Sequence, residues 1–351
     1  MNCTKFLSLA AVAVALLASC DKSEPDRVPS GTIYIMNEGS YGNNNAEITA
    51  YDLNTGVSTA EAFSAVNGRK LGDTANDMLE HDDEVYIAVN GSQVIFVTDR
   101  ELAVRRMLEP ALPDGTRLSP RYFAEGGDKV YVTFYEGWLG EIDPKTGGIR
   151  YTQVGPNPEG VDCEDGKIYV ANSGGMLYDK GYNNTVSVVD ARLFKEISVI
   201  EVNTNPKLVK AEDGHVYVSS IGDYASIRPK LQHIDALSGK VSDMAVENVY
   251  DIEIEDDMLY VMTGGYDATY NLMSGDIYAC RANAGAGATL SKIISGVPSV
   301  YSMSVTDRHI WVGSVSNFVE NGDMYLYTTD GRFVTSFDAG GLNPSAVVEA
   351  D

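Results

Sequence analysis

A short pattern of one apolar, one aromatic and one apolar residue, set behind an acidic or glycine turn, recurs along the whole chain. Its copies are Ile33-Tyr34-Ile35, Val85-Tyr86-Ile87, Val130-Tyr131-Val132, Ile168-Tyr169-Val170, Val216-Tyr217-Val218, Leu259-Tyr260-Val261 and Ile310-Trp311-Val312. The aromatic residues follow one another at roughly 38 to 52 positions, the length of a four-stranded propeller blade. Asp165-Gly166, Asp213-Gly214 and Asp256-Asp257 supply tight turns ahead of the pattern. Behind it lies a second strand ending in Asp, as in Ala50-Tyr51-Asp52, Val97-Thr98-Asp99, Glu141-Ile142-Asp143, Val188-Val189-Asp190 and His233-Ile234-Asp235. No stretch between the anchors carries a helical period, so the expectation is all-β.

With the strands of a blade labelled A to D from the axis outward, the anchor is strand B. The chain opens on a B strand at 32–36 with no A strand before it. The missing A strand stands at the other end, where Asn343-Pro344-Ser345-Ala346-Val347-Val348 matches Asn205-Pro206-Lys207-Leu208-Val209. Pairing of the two ends closes the ring and removes the open sheet edges. The sequence therefore predicts a seven-bladed β-propeller over 31–351.

Residues 1–30 read as an address and a tether. Met1 to Lys5 carries one positive charge, and Phe6 to Ala18 is nearly unbroken apolar sequence, the length of a signal-peptide core and too short to span a bilayer. It ends in Leu17-Ala18-Ser19-Cys20, which resembles a bacterial lipobox, so 1–19 is expected to be a signal peptide and Cys20 the lipidated residue. The acidic, proline-broken stretch 20–30 suits a tether and resembles a signal for the outer cell surface.

Composition narrows the class. At 44% hydrophobic and 22% charged, with 34 Gly and 21 Tyr in 351 residues, the chain is too apolar for disorder and too rich in Gly and Tyr for a helical bundle. Lys+Arg 26 against Asp+Glu 50, a net charge of −24, leaves no basic field for nucleic acid or an anionic membrane surface. Cys163 and Cys280 have no CxxC partner and fall in non-adjacent repeats, so both are expected to be buried free thiols.

Strand order sorts the loops onto two faces. A–B and C–D turns are short and acidic. The B–C loops at 38–45, 135–138, 173–183, 222–228, 264–271 and 314–321 are longer and gather Tyr, Trp and Asn on the other face, the default binding surface. His81, His215 and His309 fall in or beside A–B hairpins and His233 in a C strand, so no histidine is expected to act with the B–C loops. No GxSxG, HExxH or Cys–His arrangement is present. Carboxylates on the loop face (Glu38, Asp73, Asp77, Glu136, Glu159, Asp179, Asp223 and Asp267) keep a calcium-dependent hydrolase or lactonase, or a quinoprotein-like dehydrogenase, as the competing reading. The expectation is no catalytic residue, no catalytic cofactor and no metal.

Asn37-Glu38-Gly39 with Gly42-Asn43-Asn44-Asn45-Ala46, Leu71-Gly72-Asp73 with Asn76-Asp77, the run Ile168-Tyr169-Val170-Ala171-Asn172-Ser173-Gly174-Gly175 continuing to Asn184-Thr185-Val186-Ser187, and Val218-Ser219-Ser220-Ile221-Gly222-Asp223-Tyr224 resemble the YncE-like propeller lipoproteins, of the YVTN and quinoprotein amine dehydrogenase-like fold. Among these the chain is most similar to the BtuG-type corrinoid-binding proteins. The resemblance implies an outer-membrane lipoprotein exposed at the cell surface. Such a protein captures a corrinoid of the vitamin B12 type and passes it to a TonB-dependent, BtuB-like transporter; a glycan or peptide is the alternative bulky ligand. A flat, amide-fringed macrocycle calls for broad aromatic contact and many polar partners. The residues expected to hold it are Tyr41, Asn43, Asn44, Trp138, Tyr178, Tyr182, Tyr224, Tyr266, Tyr270 and Phe318, with Arg121, Lys207 and Arg228 as donors to amide oxygens.

Overall fold

The computed structural model describes residues 31–350 other than 268 and 307. The segments expected to be a signal peptide and tether, with Cys20, lie outside the described residues. Seven four-stranded antiparallel sheets make up the chain. Six of them run A to D in chain order; in the remaining sheet the C-terminal strand Pro344–Ala350 lies against the N-terminal strand Thr32–Asn37. That pairing is antiparallel from Thr32 with Ala350 to Asn37 with Pro344, so the ring closes as the repeat pattern predicts.

The core sits between blades rather than within one layer. Seven clusters of buried side chains fill the seven interfaces, from Ile48, Met78 and Phe96 between blades 1 and 2 to Ile33, Trp311 and Met324 between blades 7 and 1. Each B strand therefore has both faces covered. This explains why the anchors read as continuous apolar runs instead of alternating ones. All the anchor aromatics, from Tyr34 to Trp311, are buried. Outer strands such as Lys195–Glu201 are largely exposed.

Three carboxylates stitch neighbouring inner strands together close to the axis. The backbone N–H of Phe123 donates to Asp77 at 2.7 Å, that of Ala211 to Asp162 at 2.7 Å and that of Met303 to Asp251 at 3.0 Å, each time across a blade boundary. These side chains do the work of backbone pairing where the sheets themselves do not touch.

Besides the short 3-10 turns Tyr178–Lys180 and Ala282–Gly287, one α-helix among the described residues departs from the all-β expectation. Ala62–Asn67 forms a short α-helix between the outer strand of blade 1 and the inner strand of blade 2. Only Ala62 and Phe63 of it are buried, and Phe63 packs on Phe96 at 5.1 Å between ring centroids. Six residues with two apolar contacts leave no period to recognise, and packing rather than propensity holds the helix. Among the described residues no helix is long and apolar enough to cross a membrane.

Candidate functional site

Each inner strand enters the ring in the same way. Thr74, Asn157, Asn205, Asn248, Ser299 and Asn343, which precede six of the seven inner strands, hold positive φ values between 42° and 59°. Asn tolerates that conformation best among residues with a side chain, and Ser and Thr stand in for it here. The carbonyl of the residue before each inner strand then accepts from the first residue beyond the neighbouring B strand. Examples are Ile221 N–H to Asn205 at 2.9 Å and Glu38 N–H to Asn343 at 3.0 Å.

A β-bulge follows immediately. In every blade the pairing of strands A and B skips the second residue of the inner strand: Asn76, Arg121, Glu159, Lys207, Tyr250, Tyr301 or Ser345. A bulged residue leaves the ladder and its side chain is re-aimed. All seven line one axial cavity of about 400 Å³, open on the face that carries the B–C loops. The ring thus presents Asn, Arg, Glu, Lys, Tyr, Tyr and Ser at seven equivalent positions.

A second tier closes in above these positions. Tyr122, Tyr135, Tyr182, Tyr224 and Tyr266 join Tyr250 and Tyr301, so seven tyrosines line the cavity. They meet in pairs: Tyr182 and Tyr224 with centroids 6.1 Å apart, and Tyr250 and Tyr266 edge-on at 6.4 Å. Gly222, at φ +79°, makes the tight turn beneath Tyr224. A Cβ there would lie 1.9 Å from the Ile227 carbonyl oxygen.

The charges are arranged in fixed contacts. Arg121 donates through Nε to Glu159 at 3.0 Å, through a second nitrogen to the same carboxylate, and to Asn76 at 2.8 Å. Its guanidinium lies over the rings of Tyr122 and Tyr135 at 5.4 and 4.9 Å. Burial is the largest single influence and opposes its charge, but Glu159 together with Tyr122 and Tyr135 raises the guanidinium above its ordinary value. Glu38 accepts from Tyr301 and from Asn76 at 3.0 Å, and burial pushes its carboxyl above the usual range. Deeper in the channel Lys210 pairs with Glu253. Burial carries the carboxyls of Glu253 and Asp77 up to about 7. Lys207 sits over the Tyr250 ring at 4.7 Å.

The structure divides the residues expected from sequence into four groups. Arg121, Lys207, Tyr182, Tyr224 and Tyr266 line the cavity. Tyr41, Asn43, Asn44, Tyr178 and Tyr270 stand exposed on the surrounding loops. Arg228 opens instead onto a groove between blades 5 and 6, beside Met244 and Met273. Trp138 and Phe318 pack inward. Trp138 begins the C strand Trp138–Ile142 and packs against the core between blades 2 and 3, because the B–C turn there is only 135–137. Phe318 sits edge-on to Tyr301 at 6.2 Å and backs it. Tyr122, Tyr135, Tyr250 and Tyr301 are cavity residues that the loop reading passed over, because three of them lie on inner strands rather than in loops. For Tyr250 and Tyr301 the signal was available: a small polar residue, then Pro, Val or Ala, then the cavity residue, once per repeat.

Of the loop-face carboxylates, Asp73, Glu136, Asp223 and Asp267 fold loops. Asp223 accepts from Ala225 and Ile227 at 2.9 and 2.7 Å, and Asp267 from Thr269 and Asn271 at 2.8 and 3.0 Å. Glu136 accepts from the N–H and hydroxyl of Ser119, and Asp73 from Gly42. Asp179 is exposed on a single 3-10 turn. On the opposite side His81 bonds Glu125 at 2.9 Å and His215 bonds His233 at 2.8 Å. Glu212, Asp213 and Asp257 cluster at the hairpins of blades 5 and 6. Cys163 is half-buried and Cys280 buried, both are free, and burial raises their thiols to about 12 and about 11.

The fold and the site define a seven-bladed propeller with a polar, tyrosine-lined cavity on its axis. The chain belongs to the family described as a domain of unknown function, DUF5074, which it matches over residues 31–254, from the first strand of blade 1 into the inner strand of blade 6. No curated protein matches its sequence. Solved propellers share the fold at low identity. The hydrazine synthase of Kuenenia stuttgartiensis is 14% identical with a TM-score of 0.61, covering 77% of this chain and 87% of that one. A computationally designed protein, Ika8, is 12% identical at 0.57, covering 89% of each chain. The dihydro-heme d1 dehydrogenase NirN, in complex with DHE, is 11% identical at 0.56, covering 93% and 76%.

Proposed function

We propose that this chain is a binding protein whose axial mouth captures a bulky ligand rich in hydrogen-bond acceptors, with a corrinoid as the ligand. The observation that carries the reading is the convergence of seven tyrosines on one polar cavity, Tyr250 and Tyr301 at the bulged second position of an inner strand, Tyr122 beside the bulge at Arg121 and the other four on the loops above. Tyrosine offers a stiff, flat contact surface with a polar tip, which suits a large amide-fringed macrocycle. A cavity of about 400 Å³ takes one edge of such a ligand, while the rest lies across the mouth against Tyr41, Tyr178 and Tyr270, all exposed. In this reading Cys20 carries a lipid that holds the propeller at the outer cell surface, and a TonB-dependent transporter receives the ligand.

Binding is favoured over turnover because the axial carboxylates already have donors. Asp77 and Asp251 each accept two backbone N–H groups, Glu159 is held by Arg121 and Glu253 by Lys210. A calcium ion or a general base would have to break those contacts first.

Titration of the purified chain with cobalamin and with cobinamide, followed by absorbance, tests the proposal. Micromolar or tighter binding is expected. Replacing Tyr224 and Tyr266 together by Ala is expected to weaken it by about thirty- to ten-thousandfold, from roughly 1–3 kcal/mol for each buried aromatic. Failure of both corrinoids to bind the unaltered chain at micromolar concentration overturns the corrinoid assignment.

A further inference from the structure

The polar groups around the axial cavity do not balance. Its acceptors are engaged: Glu38 by Tyr301 and Asn76, Glu159 by Arg121, and Asp77 and Asp251 by backbone N–H groups. Two of its three cations are engaged as well, Arg121 with Glu159 and Lys210 with Glu253. Lys207 differs. Among the described residues its ammonium makes neither an ion pair nor a hydrogen bond, and it rests on the face of Tyr250 at 4.7 Å. The hydroxyls of Tyr122 and Tyr224 on the same walls have no hydrogen-bond partner among the described residues either. An ammonium carries three N–H donors and no acceptor, and an aromatic face replaces only a small part of what water or a carboxylate gives it. The free capacity of the cavity is therefore the Lys207 ammonium, which only donates, together with hydroxyls, Ser345 among them, that can donate to an incoming group.

We infer that the axial cavity receives an oxyanion, a carboxylate or phosphate group of the ligand, on the ε-ammonium of Lys207, with the free tyrosine hydroxyls as further donors. The inference rests on the mouth being a binding site, and it holds whether or not the ligand is a corrinoid. The carboxyls whose charge Lys207 feels are Glu38 and Asp251. Burial raises both carboxyls above the usual range. The bulge at Lys207 lifts it out of strand pairing between Pro206 and Leu208, and the Asn205 backbone, at φ 59°, fixes where the bulge begins. The ammonium is thus delivered to the cavity by main-chain geometry common to all the blades, while its neighbours at the equivalent positions, Glu159 and Tyr250, leave it without a carboxylate contact.

The test uses the purified chain and two simple anions. Lysine reactivity toward an acetylating reagent is read residue by residue by mass spectrometry, in sodium phosphate, sodium acetate and sodium chloride of equal ionic strength. Lys207 is expected to be protected about fivefold by phosphate or by acetate relative to chloride, as a charge-assisted contact would do. Lys145 and Lys240, exposed on hairpins of the other face, are expected to react equally in all three salts. Which anion protects decides between phosphate and carboxylate. Equal reactivity of Lys207 in all three salts overturns the inference, and shows a lysine that only balances Glu38 and Asp251. Calorimetric titration of Lys207→Gln with the protecting anion is a second check: binding is expected to vanish, and undiminished binding overturns the assignment to this residue. Protection of Lys207 without corrinoid binding leaves the inference standing and removes only the proposed ligand. Corrinoid binding without protection, and unchanged in Lys207→Gln, does the reverse.

Discussion

At one rim of the ring the A–B turns run through Asp82-Asp83, Asp165-Gly166, Asp213-Gly214 and Asp256-Asp257, all at positive φ, with their carboxylates in solvent. At the other rim the connections lead into inner strands that bulge at their second residue and send Asn76, Arg121, Glu159, Lys207, Tyr250, Tyr301 and Ser345 to the axis. Both rims rely on residues in the left-handed region, but to different ends. At the hairpin rim that conformation matches the twist of two strands and nothing more is asked of the side chain. At the mouth rim it sets up a bulge, and the bulge frees one side chain per blade from sheet packing. The ring repeats its four-stranded sheet seven times, and at the axis its chemistry changes at the bulges and in the loops above them.

The comparison yields three expectations of decreasing size. The largest concerns the seam. A chain ending at Leu342 lacks the strand Pro344–Ala350, which exposes the edge of Thr32–Asn37 and strips Ala346 and Ala350 from the core between blades 1 and 2. Aggregation or loss of a cooperative melt is expected by calorimetry and size-exclusion chromatography. A monomer melting like the intact chain would show that the ends do not seal the ring.

Next in size is a contrast between the rims. Arg121→Ala leaves the buried carboxylate of Glu159 without its partner, which costs about 3–5 kcal/mol. Asp213→Ala at the hairpin rim is expected to stay within ~0.5 kcal/mol, and to leave ligand binding unchanged. Chemical denaturation of both variants measures the difference. Equal losses would mean that the mouth is no more tightly specified than the hairpins.

The smallest effect is a pH dependence. Asp77 and Glu253 have folded-state values near 7, raised by burial from 3.8 and 4.5. The folded state then binds more protons than the unfolded chain in that interval, so their contribution is complete below about pH 4 and is lost as pH rises toward 7. The hairpin carboxylates Asp52 and Asp235 run the other way, lowered by hydrogen bonds from Asn54 and Ser238, and their contribution is lost only as acid protonates them. Melting temperatures across pH 4 to 7 should fall less steeply in Asp77→Asn than in the unaltered chain. An unchanged slope would place the raised titration elsewhere.

The strand anchors, their spacing and the closure of the ring were legible in the sequence, because each depends on a local cause. A B strand buried on both faces must be apolar along its length, and a chain that opens on a B strand must find its A strand at its other end. The hairpin rim was legible for the same reason, since Asp-Gly turns carry their conformation with them. Of the residues expected from sequence, Arg121, Lys207, Tyr182, Tyr224 and Tyr266 line the axial cavity, whereas Trp138 and Phe318, read as loop aromatics, pack inward. The helix Ala62–Asn67 left no trace in the pattern, having two buried residues and no side-chain cap.

What only the tertiary structure decided is the company each cavity residue keeps. Tyr122, Tyr250, Tyr301, Glu38 and Lys207 are separated by tens to hundreds of positions in the chain, and any one of them alone reads as an ordinary strand or loop residue. Whether Lys207 meets a carboxylate or an aromatic face depends on which residues occupy the equivalent bulges on either side of it, Glu159 and Tyr250. Local sequence sets where each bulge begins. Only the closed ring, held by interblade packing and by carboxylates such as Asp77, Asp162 and Asp251 reaching across blade boundaries, turns seven separate bulges into one cavity.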